Sequence, residues 1–126
     1  MYKKELEQFR LAVGDKPVKF VANHEIAQCR SRLIKEECDE LLIALQEEDE
    51  EQVLKEICDV LYVVFGTVVT YDLPVERAFK IVHENNMLKI NYPRNEKGKI
   101  VKPVDHPKVN LKEIIKEHRE EFSLGV

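Results

Sequence analysis

Between Pro17 and Gly66 the chain contains neither a glycine nor a proline. Nothing there forces a turn or removes a backbone donor, so long helices suit the stretch and short strands joined by tight turns do not. Apolar residues within it recur at helical spacing. The pattern predicts one helix from about 23, with Asn23 at the N-cap, to about 48, and a second from about 50 to 71. Only a few polar residues near 48–51 separate the two, and a link that short makes them antiparallel neighbours. A short helix over 3–13, with Leu6, Phe9 and Val13 on one side, precedes them; Gly14 ends it and residues 15–17 form a turn. Another helix starts at Pro74, where proline suits the first turn, and runs to about Lys89. Pro93, the Asn95-Glu96-Lys97-Gly98 turn, Pro103 and Pro107 then mark a basic loop over 91–109 with room for a small hairpin. A last amphipathic helix covers 110–122. The expectation is an all-α antiparallel helical bundle, a single domain over 1–126.

Composition narrows the function classes. The net charge of -4 gives no general attraction to nucleic acid. No stretch reaches the roughly 18 apolar residues of a membrane span, and the N-terminus carries no hydrophobic signal segment. The three cysteines, Cys29, Cys38 and Cys58, are an odd number without a CxxC pair. They read as small buried residues rather than disulfides or ligands, which suits a reducing cytoplasmic setting.

Charge is unevenly placed along the chain. Residues 36–56 are crowded with Glu and Asp, and 87–108 are rich in Lys and Arg. In the first long helix the stripe Ile26, Cys29, Leu33 continues at helical spacing to Glu37 and Glu40, then Ala44, so two carboxylates interrupt an apolar face. Glu36 lies beside them. In the second, Ile57-Cys58-Asp59-Val60-Leu61-Tyr62-Val63-Val64-Phe65 carries Asp59 as its one charge, and a helix apolar on every side is a buried helix. Glu56 precedes Asp59 by one turn and shares its face. Taken singly, Glu36, Glu37, Glu40 and Glu56 are ordinary solvated helix surface. Taken together they make E-x-x-E facing E-x-x-D on paired helices. Lys35 and Lys55 flank the acids and are expected on more exposed sides, so no cation within the apolar runs neutralises them. A divalent ion is the economical solution, because an unpaired buried carboxylate is costly. All-oxygen ligation selects Mg²⁺, or else Mn²⁺, and Mg²⁺ keeps positions open for substrate phosphates. A di-iron site of the helical-bundle kind is the rival, but none of the four histidines follows a Glu at E-x-x-H spacing.

At the end of the helix that starts at Pro74, Asn86 and Lys89 form an N-x-x-K pair next to the basic loop with Lys97, Lys99 and Lys102. An amide and an ammonium on one face suit a phosphate, and equally suit a polar helix end.

These motifs together, Glu36-Glu37-Cys38-Asp39-Glu40, Glu56-Ile57-Cys58-Asp59 and Asn86-x-x-Lys89, resemble the all-alpha nucleoside triphosphate pyrophosphohydrolases. The resemblance covers about residues 5–110. It is closest to the single-domain MazG-like branch sometimes described as phosphoribosyl-ATP pyrophosphohydrolase-like. It implies cleavage of a nucleoside triphosphate to the monophosphate and pyrophosphate, with nucleotide-pool cleansing as the role by analogy. It implies Mg²⁺ held by Glu37, Glu40, Glu56 and Asp59, with Glu36 as general base or ligand to a second ion. Asn86, Lys89, Phe9 and Lys102, and less directly Pro17, would contact the nucleotide. A deoxynucleotide such as dUTP or dCTP, or a noncanonical one, is the expected substrate, with phosphoribosyl-ATP as an alternative. A non-catalytic nucleotide-binding or assembly module on the same scaffold is the other. The resemblance also implies a bundle completed by oligomerisation, as a homodimer or dimer of dimers. Two departures bear on base selection: Val13 stands where a second aromatic is common, and Asp105 and His106 occupy a stretch that is often aromatic and proline-rich.

Overall fold

The computed structural model describes residues 3–12, 19, 20 and 23–123. The assignments made above for Val13, Gly14 and residues 15–17 lie outside the described residues, as does the side chain of Leu6. Five helices are described: α1 (Lys3–Ala12), α2 (His24–Gln46), α3 (Glu50–Tyr71), α4 (Val75–Met87) and α5 (Lys112–Ser123). No strand occurs among the described residues; there is one isolated antiparallel bridge, between Arg94 and Ile100. The all-α expectation therefore holds. No helix among the described residues is long and apolar enough to cross a membrane. The chain divides into two compact units, Met1–Leu73 and Pro74–Val126.

The first unit is built on the α2–α3 hairpin. α2 begins at His24, but Asn23 does not cap it through its side chain. Its amide instead donates back to the Lys19 carbonyl. Glu48 takes up the left-handed conformation, φ 53°, in the link that turns the chain. Asp49 then caps α3, its carboxylate accepting from the Gln52 N–H at 3.1 Å. α3 ends on Asp72, also left-handed, and the Leu73 N–H reaches back to the Val68 carbonyl at 3.0 Å. That 6→1 bond closes the helix just before Pro74.

Arg30 fixes how α2 and α3 lie against each other. Its Nε donates to Thr67 Oγ1 at 3.0 Å, and its Nη2 to the Val63 carbonyl at 2.7 Å. The same guanidinium passes over Gly66, where an added Cβ would lie 2.7 Å from Nη2. Gly66 therefore trades helix propensity for this crossing. Alanine gains about 1 kcal/mol over glycine within a helix, while losing both Arg30 bonds costs about 2 kcal/mol. Gly66→Ala is expected to destabilise the otherwise unaltered chain by about 1 kcal/mol and to stabilise the Arg30→Ala chain by about the same. Urea unfolding of the four proteins reads this change of sign, and an equal effect of Gly66→Ala in both backgrounds contradicts it.

One expectation from the sequence needs correction. α3 is not buried on every side within the chain: Leu54, Ile57, Leu61, Tyr62 and Val64 are exposed, and burial is confined to Glu56 and the C-terminal Val68, Val69 and Tyr71. Among the described residues of this unit, α1 and α2 pack on α3 and Phe20 packs edge-on against Tyr71 near its C-terminal end; the exposed side chains mark where its circumference is uncovered. The cysteines follow suit. All three are free, but Cys29 and Cys58 are exposed and Cys38 is half-buried, so they are not small core residues of the single chain.

In the second unit Arg77 of α4 pairs with Glu117 of α5, and Ile114 of α5 is buried. The basic loop contains the anticipated small hairpin. The Gly98 N–H bonds the Asn95 carbonyl at 2.9 Å, and the Asn95 N–H bonds the Lys99 carbonyl at 2.8 Å. Gly98 sits at φ 81°, the left-handed position that follows a type I turn in such hairpins. The Asn95 carboxamide oxygen accepts from the N–H groups of Lys97 and Lys99. α5 starts at Lys112, whose N–H donates to the Asn110 side chain at 3.1 Å.

Candidate metal centre

Four of the acids singled out from the sequence converge. One carboxylate oxygen from each of Glu37, Glu40, Glu56 and Asp59 lies within 4.8 Å of the other three. The register of the hairpin brings them together. Arg30, early in α2, meets Val63 and Thr67, whereas Glu37 and Glu40, later in α2, meet Glu56 and Asp59, earlier in α3. The antiparallel pairing thus puts the two i, i+3 pairs opposite each other.

Glu56 is the most deeply placed, with 3% of its surface exposed. Its Oε1 accepts from Gln52 Nε2 at 2.6 Å. Its Oε2 is buried and has no hydrogen-bond donor, and the same is true of Glu37 Oε2. Two buried carboxylate oxygens without donors are uncommon and expensive. Glu40 is exposed, yet its carboxyl is held above the usual carboxylate range, first by the charge of Glu37 and then by that of Glu56. These are features of closely spaced carboxylates, and a bound cation would relieve them. Glu37, Glu40, Glu56 and Asp59 are therefore the residues that would hold a shared ion. The donor set, all oxygen and all anionic, fits a hard divalent cation.

The sequence picked Asp59 as the acid least compatible with a solvated surface. The structure gives that place to Glu56. Asp59 is half-buried, and its Oδ2 lies 2.6 Å from Lys55 Nζ. Lys55 is exposed, as expected, but its ammonium still reaches the acids and lies 3.6 Å from Glu56 Oε1 as well, so the quartet is not without a neighbouring cation. Lys35 does turn outward, pairing with Asp39 at 2.6 Å. Glu36 is exposed and is not one of the four that converge. Gln52 and Arg30 were passed over in the sequence, and Lys55 was noted beside the acids but not paired with them. Gln52 and Lys55 each stand four residues before the acid they touch, a spacing that could have flagged them.

Phe9 of α1 packs edge-on against Tyr62 of α3, with ring centroids 5.8 Å apart. Both rings remain half exposed, and Tyr62 stands one turn beyond Asp59 on α3. In the second unit Asn86 and Lys89 do come together, Lys89 Nζ donating to Asn86 Oδ1 at 2.9 Å. Lys102 is exposed in the basic loop. The neighbouring Asn85 ties that loop down. Its Nδ2 donates to the Pro107 carbonyl at 2.8 Å, and its Oδ1 faces His106 Nε2 at 2.8 Å. Nε2 therefore carries the imidazole hydrogen, and Nδ1 accepts from the Tyr92 hydroxyl at 3.1 Å. His106, one of the two departures noted above, thus serves to fasten the loop.

A comparison with curated proteins gives no match. The sequence does match the phosphoribosyl-ATP pyrophosphohydrolase family over residues 4–86. That span holds the whole α2–α3 hairpin with its carboxylate quartet and ends on Asn86, short of Lys89, the basic loop and α5. The chain belongs to the phosphoribosyl-ATP pyrophosphohydrolase family, within the all-alpha nucleoside triphosphate pyrophosphohydrolases.

Proposed function

We propose that the chain hydrolyses the phosphoanhydride between the α and β phosphates of a nucleotide, releasing pyrophosphate, with Mg²⁺ held by Glu37, Glu40, Glu56 and Asp59. The observation that carries this reading is the pair of buried, donorless oxygens on Glu37 and Glu56 within the four-carboxylate cluster. Family membership supports the pyrophosphohydrolase class. Mg²⁺, or Mn²⁺ in its place, supplies Lewis-acid polarisation of the α phosphate and neutralises charge that develops there. Glu37, Glu40, Glu56 and Asp59 fix its position from two rigid helices. Glu36, exposed next to Glu37, takes the proton of the attacking water as general base. Asn86 and Lys89 offer an amide and an ammonium to the phosphates, Lys102 adds positive charge, and Phe9 offers an aromatic surface to the base.

The substrate we favour is a nucleoside triphosphate, a deoxynucleotide such as dUTP or dCTP or a noncanonical one, with nucleotide-pool cleansing as the role. Phosphoribosyl-ATP is the second reading, favoured by the family match itself; it presents the same scissile bond. The exposed apolar residues along α3 support a homodimer or dimer of dimers that buries them. The three free thiols suit the cytoplasm.

A panel of canonical and modified nucleoside triphosphates plus phosphoribosyl-ATP, followed by phosphorus NMR with Mg²⁺ and with chelator, tests the reading. Metal-dependent appearance of pyrophosphate together with a monophosphate is the expected result, and the fastest substrate decides between the two readings. Saturable nucleotide binding without any product would instead establish the non-catalytic module.

A further inference from the structure

The carboxylate quartet has a cation of its own. Among the described residues, the ion pairs to these four acids come from Lys55, which bridges Asp59 at 2.6 Å and Glu56 at 3.6 Å. Its position on α3 explains this: it adjoins Glu56 in sequence and precedes Asp59 by one turn, an i, i+4 ion pair. The side chain is 59% exposed, so its stem can swing the ammonium into solvent without disturbing packing. Asp59 and Glu56 are two of the groups a divalent ion would need.

We infer that Lys55 is an internal counter-cation of the quartet, which a divalent ion must displace, so that this one side chain sets how tightly the protein holds its metal. The inference rests on the reading that the quartet binds a divalent cation. An ammonium 2.6 Å from Asp59 and 3.6 Å from Glu56 stands a few ångströms from any ion those two acids would share, where like charges repel. If the ammonium stays, metal binding carries that repulsion; if it leaves, metal binding carries the loss of two ion pairs. Either way its removal favours the metal. Solvent and salt moderate the effect at so exposed a group, which puts the gain on removing it at about three- to tenfold in affinity.

The protein supplies its own control. Lys35 pairs with Asp39 at 2.6 Å in another i, i+4 ion pair, but Asp39 is outside the quartet. Lys35→Met changes the net charge as Lys55→Met does without touching the acids that converge.

The test is titration of the chelator-stripped full chain with Mn²⁺, reading free ion by electron paramagnetic resonance, with circular dichroism to confirm that each variant is folded. Lys55→Met is expected to bind Mn²⁺ about three- to tenfold more tightly than the unaltered chain, and Lys55→Gln likewise. Lys55→Arg, which keeps the cation, and Lys35→Met are expected within about twofold of it. Unchanged or weaker binding in both neutral variants at position 55 overturns the inference, since Lys55 would then orient Asp59 rather than compete for it. An equal gain in Lys35→Met also overturns it, because net charge alone would account for the result. If no folded variant binds Mn²⁺ at millimolar concentration, the metal reading itself falls and takes this inference with it.

Discussion

Asp59→Asn is expected to lower metal-dependent pyrophosphate release by about a thousandfold while leaving helix content unchanged. Asparagine matches aspartate in size and can still face Lys55, so α3 has no structural reason to unwind. It offers one neutral carbonyl in place of a carboxylate, which hard divalent ions bind poorly. Glu40→Gln, on the opposite helix, is expected to do the same from an exposed position where folding is still less at stake. Steady-state rates at saturating Mg²⁺, beside circular dichroism, read both effects. Activity within tenfold of the unaltered chain in the two variants would remove the quartet from the reaction.

Glu56→Gln is expected to act in opposite directions on stability and on metal binding. Glu56 is almost fully buried, and its Oε2 has no donor. An amide nitrogen at that oxygen's place would face the neighbouring carboxylates as a donor, and the remaining Oε1 would keep its bond from Gln52. Replacing an acid among acids by a donor should stabilise the chelator-treated protein by about 1–3 kcal/mol. The same change removes a ligand, so the rise in melting temperature that Mg²⁺ gives the unaltered chain should largely vanish. Thermal melts in chelator and in excess Mg²⁺ measure both halves. A variant less stable than the parent in chelator would show that Glu56 holds the fold rather than the metal.

Much of this was legible before any coordinates, for reasons that are local. The glycine- and proline-free stretch, the polar link near 48–51 and the period of the apolar residues suffice to draw the α2–α3 hairpin. Once the hairpin is drawn, E-x-x-E must face E-x-x-D. α3 begins at Glu50 and ends at Tyr71 as the pattern requires. What escaped notice depends on contacts distant in sequence or on side-chain choice. Arg30 meets Thr67 across 37 positions, and His106 meets Asn85 across 21. Asn23 had the right residue type for a cap, but its amide found the Lys19 carbonyl first. The pairing of exposed Lys55 with the acids was missed because helical spacing fixes where a Cβ points, while a four-carbon stem decides where the charge ends up. The exposure of Leu54, Ile57 and Leu61 could not be read from composition, since an apolar helix shows that something should cover it and not whether the cover lies in the same chain.

The decisive measurement is the position of the ion itself. In crystals of the full chain grown with Mn²⁺, an anomalous difference map should show a peak in direct contact with carboxylate oxygens of Glu37, Glu40, Glu56 and Asp59 together. A peak bound elsewhere, or none on this quartet while Lys55 still bridges Asp59 and Glu56, would contradict the account.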